Sequence, residues 1–179
     1  MTEQEIVNGV KNHDRQAMHE MYGLLAGYAM ATAKRYLTSD DDCHDVLQEC
    51  FLRAFSRIDD FDYRGEGSLR AWMMRIVANE SINVLKLRSR ITFTDEFNED
   101  IVDSSPDVTQ VPPGEINRMI ASLPTGYRIV FNQFVFEHKS HKEIAQTLGI
   151  KENSSASQLL RAKRLLAKMI NDYKRRHDE

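Results

Sequence analysis

Apolar residues in this chain recur every three or four positions, the helical period, and nowhere alternate long enough for a strand. Thr2 with Glu5 has capping-box spacing and opens a short first helix reaching about Lys11. Asp14 caps the next, which carries Ala17, Met21, Leu24, Leu25, Tyr28 and Ala31 at helical spacing and runs to about Leu37. Ser39 before Asp40, Asp41 and Asp42 is an N-cap with acids in the first turn. The helix it opens turns Val46, Leu47, Phe51, Leu52 and Phe55 inward and leaves Asp45, Gln48, Glu49 and Arg53 outside. FDYRGEGS, Phe61 to Ser68, is a loop: two glycines and a Tyr–Arg pair end the helix. A long helix then starts at Ser68, with Leu69, Trp72, Met73, Ile76, Val77 and Leu85 apolar.

Residues 91–117 differ in kind, with seven acids, no Lys or Arg and three prolines. Such a stretch cannot bury enough apolar surface to fold alone. It predicts a flexible acidic linker over 91–114, between a helical domain at 1–90 and a second at 115–179. In the second domain Ile116, Met119, Ile120 and Leu123 form a short helix. Pro124 sits in the first turn of the next, which carries Val130, Phe131, Phe134 and Val135. Ser140 to Thr147 is again helical, with Ile144, Ala145 and Leu148 inward, and Gly149 breaks it where a left-handed backbone is needed. A last helix follows, with Leu159, Ala162, Leu166 and Met169 on one stripe and Ser154, Ser157, Arg161, Arg164 and Lys168 on another. Two helices joined by a short Gly-containing turn form a helix-turn-helix, whose second helix reads the major groove from its first turns. The competing reading is an amphipathic hairpin with a solvated basic face. The fold predicted is all-α, two small helical domains on a linker.

Composition narrows the function. With 41% hydrophobic and 28% charged residues, the 179-residue chain can bury real cores. No apolar run approaches the ~20 residues of a membrane span. The first residues lack the basic-then-apolar order of a signal peptide, so the chain is expected in the cytoplasm. The net charge of −3 hides an asymmetry: residues 139–176 carry +7, and residues 1–138 carry −8. A basic end behind an acidic body points to nucleic acid for one and a different partner for the other. Cys43 and Cys50 lie two helical turns apart, too far to bridge, and read as free, partly buried thiols. His44, Glu49, Glu80 and the cysteines have no metal-ligand or nucleophile–base spacing, and no glycine-rich phosphate loop precedes a helix. No metal, cofactor or enzymatic activity is expected.

Three motifs in order carry a family resemblance: DVLQECFLRAF, the aromatic/Gly loop followed by SLRAWMMRIVANESIN, and EIAQTLGI…SQLLRAKRLL. The chain resembles bacterial RNA polymerase sigma factors of the extracytoplasmic-function class, small factors that keep the −10-reading region 2 and the −35-reading region 4. About residues 14–88 resemble region 2 and 115–172 resemble region 4. The resemblance implies that Asp45, Gln48, Glu49 and Arg53 dock on the clamp of the polymerase's largest subunit, where spacing by itself favours a solvated face. Region 4 would meet the flap of the second-largest subunit. It implies that the Phe61–Ser68 loop captures an unpaired −10 base, with Phe61, Tyr63 and Arg64 supplying stacking and charge. Asn79 and Asn83 would contact the edge of the −10 duplex, and Trp72 is either a base contact or a core anchor. Ser157, Leu160 and Arg161 align with −35 base contacts, Arg161 being the direct reader. Lys142 and Arg164, with Lys163 and Lys168, would meet phosphate. Core polymerase and promoter DNA are the implied partners, and an anti-sigma protein stays open.

Two positions depart from the family. Ala156 stands where the family usually has Lys or Arg. Lys151 stands where it commonly has Ser at the helix start, which leaves Asn153 or Ser154 as caps of a helix starting later. The alternative function is a two-domain helix-turn-helix regulator binding duplex DNA without polymerase. It explains the C-terminal half equally well, but neither the loop with Trp72 and Asn79 nor the charged face at 45–53.

Overall fold

A computed structural model of the chain describes residues 1–88 and 107–177. Among these are eight α-helices, one 3-10 turn and no strand: α1 (Glu3–Lys11), α2 (Arg15–Tyr36), α3 (Asp40–Ser56), the turn Ile58–Asp60, α4 (Ser68–Arg88), α5 (Pro113–Ser122), α6 (Thr125–Val135), α7 (His141–Leu148) and α8 (Glu152–His177). They fall into two compact units, Met1–Leu87 and Arg88–Glu179. None of these helices is long and apolar enough to cross a membrane.

In the first unit the local signals set the helix starts. Thr2 and Glu5 close a capping box, the Asp14 carboxylate accepts from Gln16 N–H, and the Ser39 hydroxyl accepts from Asp42 N–H. α1 packs on α2 and α2 on α3. Gly9 lets α1 lie against Ala17 of α2; a Cβ there would collide with the alanine's. The face that α2 buries differs from the expected one. Ala17, Met21, Leu25, Ala29, Ala33 and Tyr36 are buried, whereas Leu24 and Tyr28 are 44% and 51% exposed. Apolar residues lie nearly all round this helix, so periodicity does not choose the face. α3 buries Cys43, Val46, Leu47, Cys50, Phe51 and Ala54, and Leu52, expected inside, is 66% exposed.

α8 is the spine of the second unit, with α5, α6 and α7 packed on it. Ile120, Leu123, Ala162 and Leu166 make the apolar core, flanked by Phe131 and Met169. Beside it lies a polar interior that the pattern of the chain did not announce. Arg128, Asn132 and Gln133 of α6 and Ser155 and Gln158 of α8 are all 5% exposed or less. The Arg128 guanidinium donates to the Ala121 carbonyl.

The expected linker falls mostly outside the described residues. Its last part does not stay apart: Val111 is buried, α5 begins at Pro113, and the Asp107 carboxylate meets Lys174 Nζ at 3.0 Å. Hydrogen bonds from Thr109, then Lys174, hold the Asp107 carboxyl at a pKa of about 2.

Candidate nucleic-acid interface

In the first unit the site forms where α3 ends and α4 begins. The Ile58–Asp60 turn closes on the Phe61 N–H, and the chain then leads without regular structure to two glycines of positive φ, Gly65 at 108° and Gly67 at 87°. Such values cost little only for glycine. The Ser68 hydroxyl donates to the Gly65 carbonyl at 2.6 Å. Beside the loop opens a cleft of about 320 Å³ lined by Asp60, Phe61, Asp62, Arg64, Ser68, Ala71, Trp72 and Arg75.

Of the loop residues predicted for this site, Arg64 lines the cleft, exposed and 3.3 Å from Asp62. Trp72 lines it too while packing on Phe61, ring centroids 5.0 Å apart, so the indole is both packed and adjacent to the cleft. Phe61 is corrected. It is 6% exposed and packs on Trp72, so although it borders the cleft little of its ring is open to a base. An aromatic in a short loop is cheaper inside than out. Tyr63 is half-buried and does not line the cleft; desolvation, then the carboxylates of Glu3 and Glu66, raise its hydroxyl pKa. Asn79 and Asn83 are exposed further along α4, on one face with Arg75 and Lys86. Asn83 Nδ2 lies 3.4 Å from Glu80. The acids at the cleft, Asp60 and Asp62, had no sequence signal beyond their place in the loop.

The outer face of α3 carries Asp45, Gln48 and Glu49, all exposed, and Leu52 stands beside them. Arg53, predicted to share this face, is turned aside. Its guanidinium spans Glu49 at 3.3 Å and Glu80 of α4 at 2.8 Å. Since Glu80 is mostly buried, Arg53 compensates its charge and ties α3 to α4.

In the second unit the Ser140–Glu143 capping box starts α7, and Gly149 at φ 70° ends it. α8 begins at Glu152, with the Lys151 carbonyl accepting from Ser155 N–H. Lys151 is thus the N-cap residue itself, and the later start at Asn153 or Ser154 is not adopted. The predicted outer stripe also turns. Ser154 and Ser157 are each 4% exposed, and the Ser157 hydroxyl donates to the Asn153 carbonyl at 2.9 Å, so Ser157 has no exposed hydroxyl to offer a base. On α8 Asn153 and Arg164 are exposed and Ala156, Leu160, Arg161 and Lys163 half-exposed, with Lys142 exposed on α7. His141 joins the three helices. Its ring stacks on Phe134 of α6 at 4.8 Å, and Nδ1 lies 3.0 Å from Ser155 Oγ of α8. Burial, more than any charge, lowers its pKa.

With this geometry in place, residues 21–91 match the family model for sigma-70 region 2, and residues 114–166 match that for sigma-70 region 4. The chain is 26% identical to the ECF RNA polymerase sigma-E factor of Haemophilus influenzae, over 95% of this chain and 96% of that protein. It is 24% identical to the sigma-E factor of Escherichia coli K12, over 98% of each. Among solved structures it resembles CnrH in complex with the cytosolic domain of CnrY (TM-score 0.51, 22% identity, 93% of this chain and 96% of that one). It also resembles the sigma factor RpoE of Bartonella quintana in complex with the anti-sigma factor NepR (TM-score 0.54, 19% identity, 86% and 96%). At those identities the structural likeness speaks for the fold.

Proposed function

Since the chain belongs to the sigma-70 family and is an alternative sigma factor of RNA polymerase, of the extracytoplasmic-function class, we propose that its two units read the −10 and −35 promoter elements and that the first also docks on the polymerase clamp. The observation that carries this reading is the cleft beside Trp72, a concave site at a glycine-bent loop with Arg64 and Arg75 at its edge and Asn79 and Asn83 on the α4 face beyond it. A base unstacked from the non-template strand binds in such a cleft, with Trp72 and the guanidiniums against its face and edge. Melting then needs no chemistry. Holding one base outside the stack stabilises the open form and offsets the few kcal/mol of unpairing. Sigma factors are non-enzymatic initiation factors, and this chain acts by binding, in the cytoplasm.

In the second unit, Leu160, Arg161 and Arg164, with Lys142, face the −35 element, and Ser157 holds the helix instead of reading a base. Asp45, Gln48 and Glu49 meet the clamp around Leu52, an apolar centre within a charged rim. One of the solved structures of this fold holds an anti-sigma factor, NepR, and an anti-sigma protein is a candidate partner for this chain too. The test is transcription from a pool of genomic promoters by core polymerase with and without the chain. Transcripts that start only in its presence support the reading. Tight binding of duplex DNA as a dimer, with no new transcripts, would establish the duplex-binding regulator instead.

A further inference from the structure

The loop beside the cleft makes few bonds of its own. Within it the Ser68 hydroxyl donates to Gly65, the Arg64 N–H donates to Ser68 Oγ at 3.2 Å, and Gly65 and Gly67 impose the least restraint a backbone can have. What holds it comes from α1, which precedes the segment matching region 2. Glu3, in the first turn of α1, turns its carboxylate to the start of α4. Oε2 accepts from the Gly67 N–H at 2.9 Å, and Oε1 accepts from the Leu69 N–H at 2.9 Å. Lys11, in the last turn, donates from Nζ to the Phe61 carbonyl at 3.0 Å. A helix about 14 Å long therefore grips the loop at its first residue and on either side of its last. Both grips are charge-assisted hydrogen bonds to backbone, which fix the path of the chain; Ser68, whose Oγ lies 3.4 Å from Glu3 Oε1, is the one cleft-lining side chain they touch.

α1 is itself held firmly enough to serve. Ile6, Val7 and Val10 are at most 3% exposed, and Gly9 seats the helix against Ala17. Local capping is done by Thr2 and Glu5, which leaves the Glu3 carboxylate for the longer reach.

We propose that Glu3 and Lys11 are positioning residues for −10 strand capture, α1 acting as a splint that presets the loop before the base arrives. The inference rests on the reading of the Trp72 cleft as the base site. Neither residue lines that cleft, so their effect is on how far the loop is ordered in advance. Preordering lowers the entropy lost on binding and leaves the contacts themselves unchanged.

The experiment uses holoenzyme assembled from core polymerase and the full chain, with a promoter found in the transcription pool. The probe is a fluorescent fork-junction duplex carrying that promoter's unpaired −10 strand, with base substitutions at each −10 position. Glu3→Ala and Lys11→Met are expected to weaken probe binding by about tenfold, the factor that a lost charge-assisted hydrogen bond carries. They should flatten discrimination among −10 bases and leave discrimination among −35 variants at its wild-type value. A general loss of folding would lower both together. Glu3→Gln, which keeps shape and one acceptor oxygen, should fall between Glu3→Ala and wild type. Ala71→Phe, which fills the cleft, serves as the control. If Ala71→Phe abolishes −10 discrimination while the Glu3 and Lys11 variants match wild type, the splint is refuted and the base site stands. If Ala71→Phe also changes nothing, the base site fails and takes the splint with it.

Discussion

Leu52 shows how one residue changes the meaning of a face. Charged residues outside a helix are ordinarily solvated, but a leucine 66% exposed between Glu49 and Arg53 contributes little to the fold and forgoes most of its transfer energy. Leu52→Ala is therefore expected to leave thermal unfolding unchanged and to weaken core-polymerase binding by about 1 kcal/mol or more, as truncating an apolar interface centre does. A pull-down titration checks it, and wild-type affinity would remove Leu52 from the interface. Cys50 behaves oppositely. Burial first, and then Glu80, push its thiol up to about 12, and Cys43 is raised as well, again by burial first. Since the thiolate is the nucleophile, neither cysteine should be alkylated by iodoacetamide at pH 8 until urea unfolds the first unit. Rapid labelling of the native chain, read by mass spectrometry, would contradict the burial. These two residues were legible in different degrees. Cys50 reads from the sequence as a partly buried thiol, but the helical period placed Leu52 inside, because a leucine on the outer face of a helix looks in sequence like any other leucine.

Among the elements, the helix starts were the most legible, since caps at Thr2, Asp14 and Ser39 are local chemistry. The faces of α2 and α8 were not. α2 is apolar nearly all round, and the first turns of α8 bury Ser154, Ser155, Ser157 and Gln158 against a polar α6, where a polar residue reads from sequence as an outward one. That polar packing makes the helix-turn-helix sensitive to pH through His141. Burial lowers its pKa, with Lys163 adding to this and Glu152 opposing it. The unfolded chain, with an ordinary histidine pKa of about 6.5, then binds the proton more readily than the native one. The contribution is complete above about pH 6.5 and declines as pH falls toward the lowered native value. Urea unfolding of the second unit should therefore show a lower midpoint at pH 5.5 than at pH 7.5, and His141→Gln should flatten that difference. An equal slope in the variant would assign the effect to other groups.

At the scale of the molecule, charge is divided as the work is. Residues 139–176 carry +7 and residues 1–138 carry −8, so the larger share of net positive charge lies in the second unit. A few phosphate contacts on one small helical unit give DNA affinity that is weak and salt-dependent. The first unit mixes its charges: exposed Arg64, Arg70, Arg75 and Lys86 lie at the cleft and along α4, Asp45 and Glu49 lie on α3, and Asp60 and Asp62 stand at the cleft itself. Each reader is therefore weak by itself, and promoter recognition by this chain belongs to its complex with polymerase, where one binding event raises the effective concentration for the next. The division into two helical units was legible because seven acids and three prolines without a Lys or Arg cannot build a core. The packing of Asp107 and Val111 into the second unit was not, since it depends on Lys174, 67 residues away. The most direct test of this account is one titration of a labelled promoter, with the chain by itself and with the chain bound to core polymerase, at fixed salt. The account predicts weak, sequence-indifferent binding by the chain and tight, −10- and −35-dependent binding by the complex. Equal, sequence-specific affinity in both would contradict it.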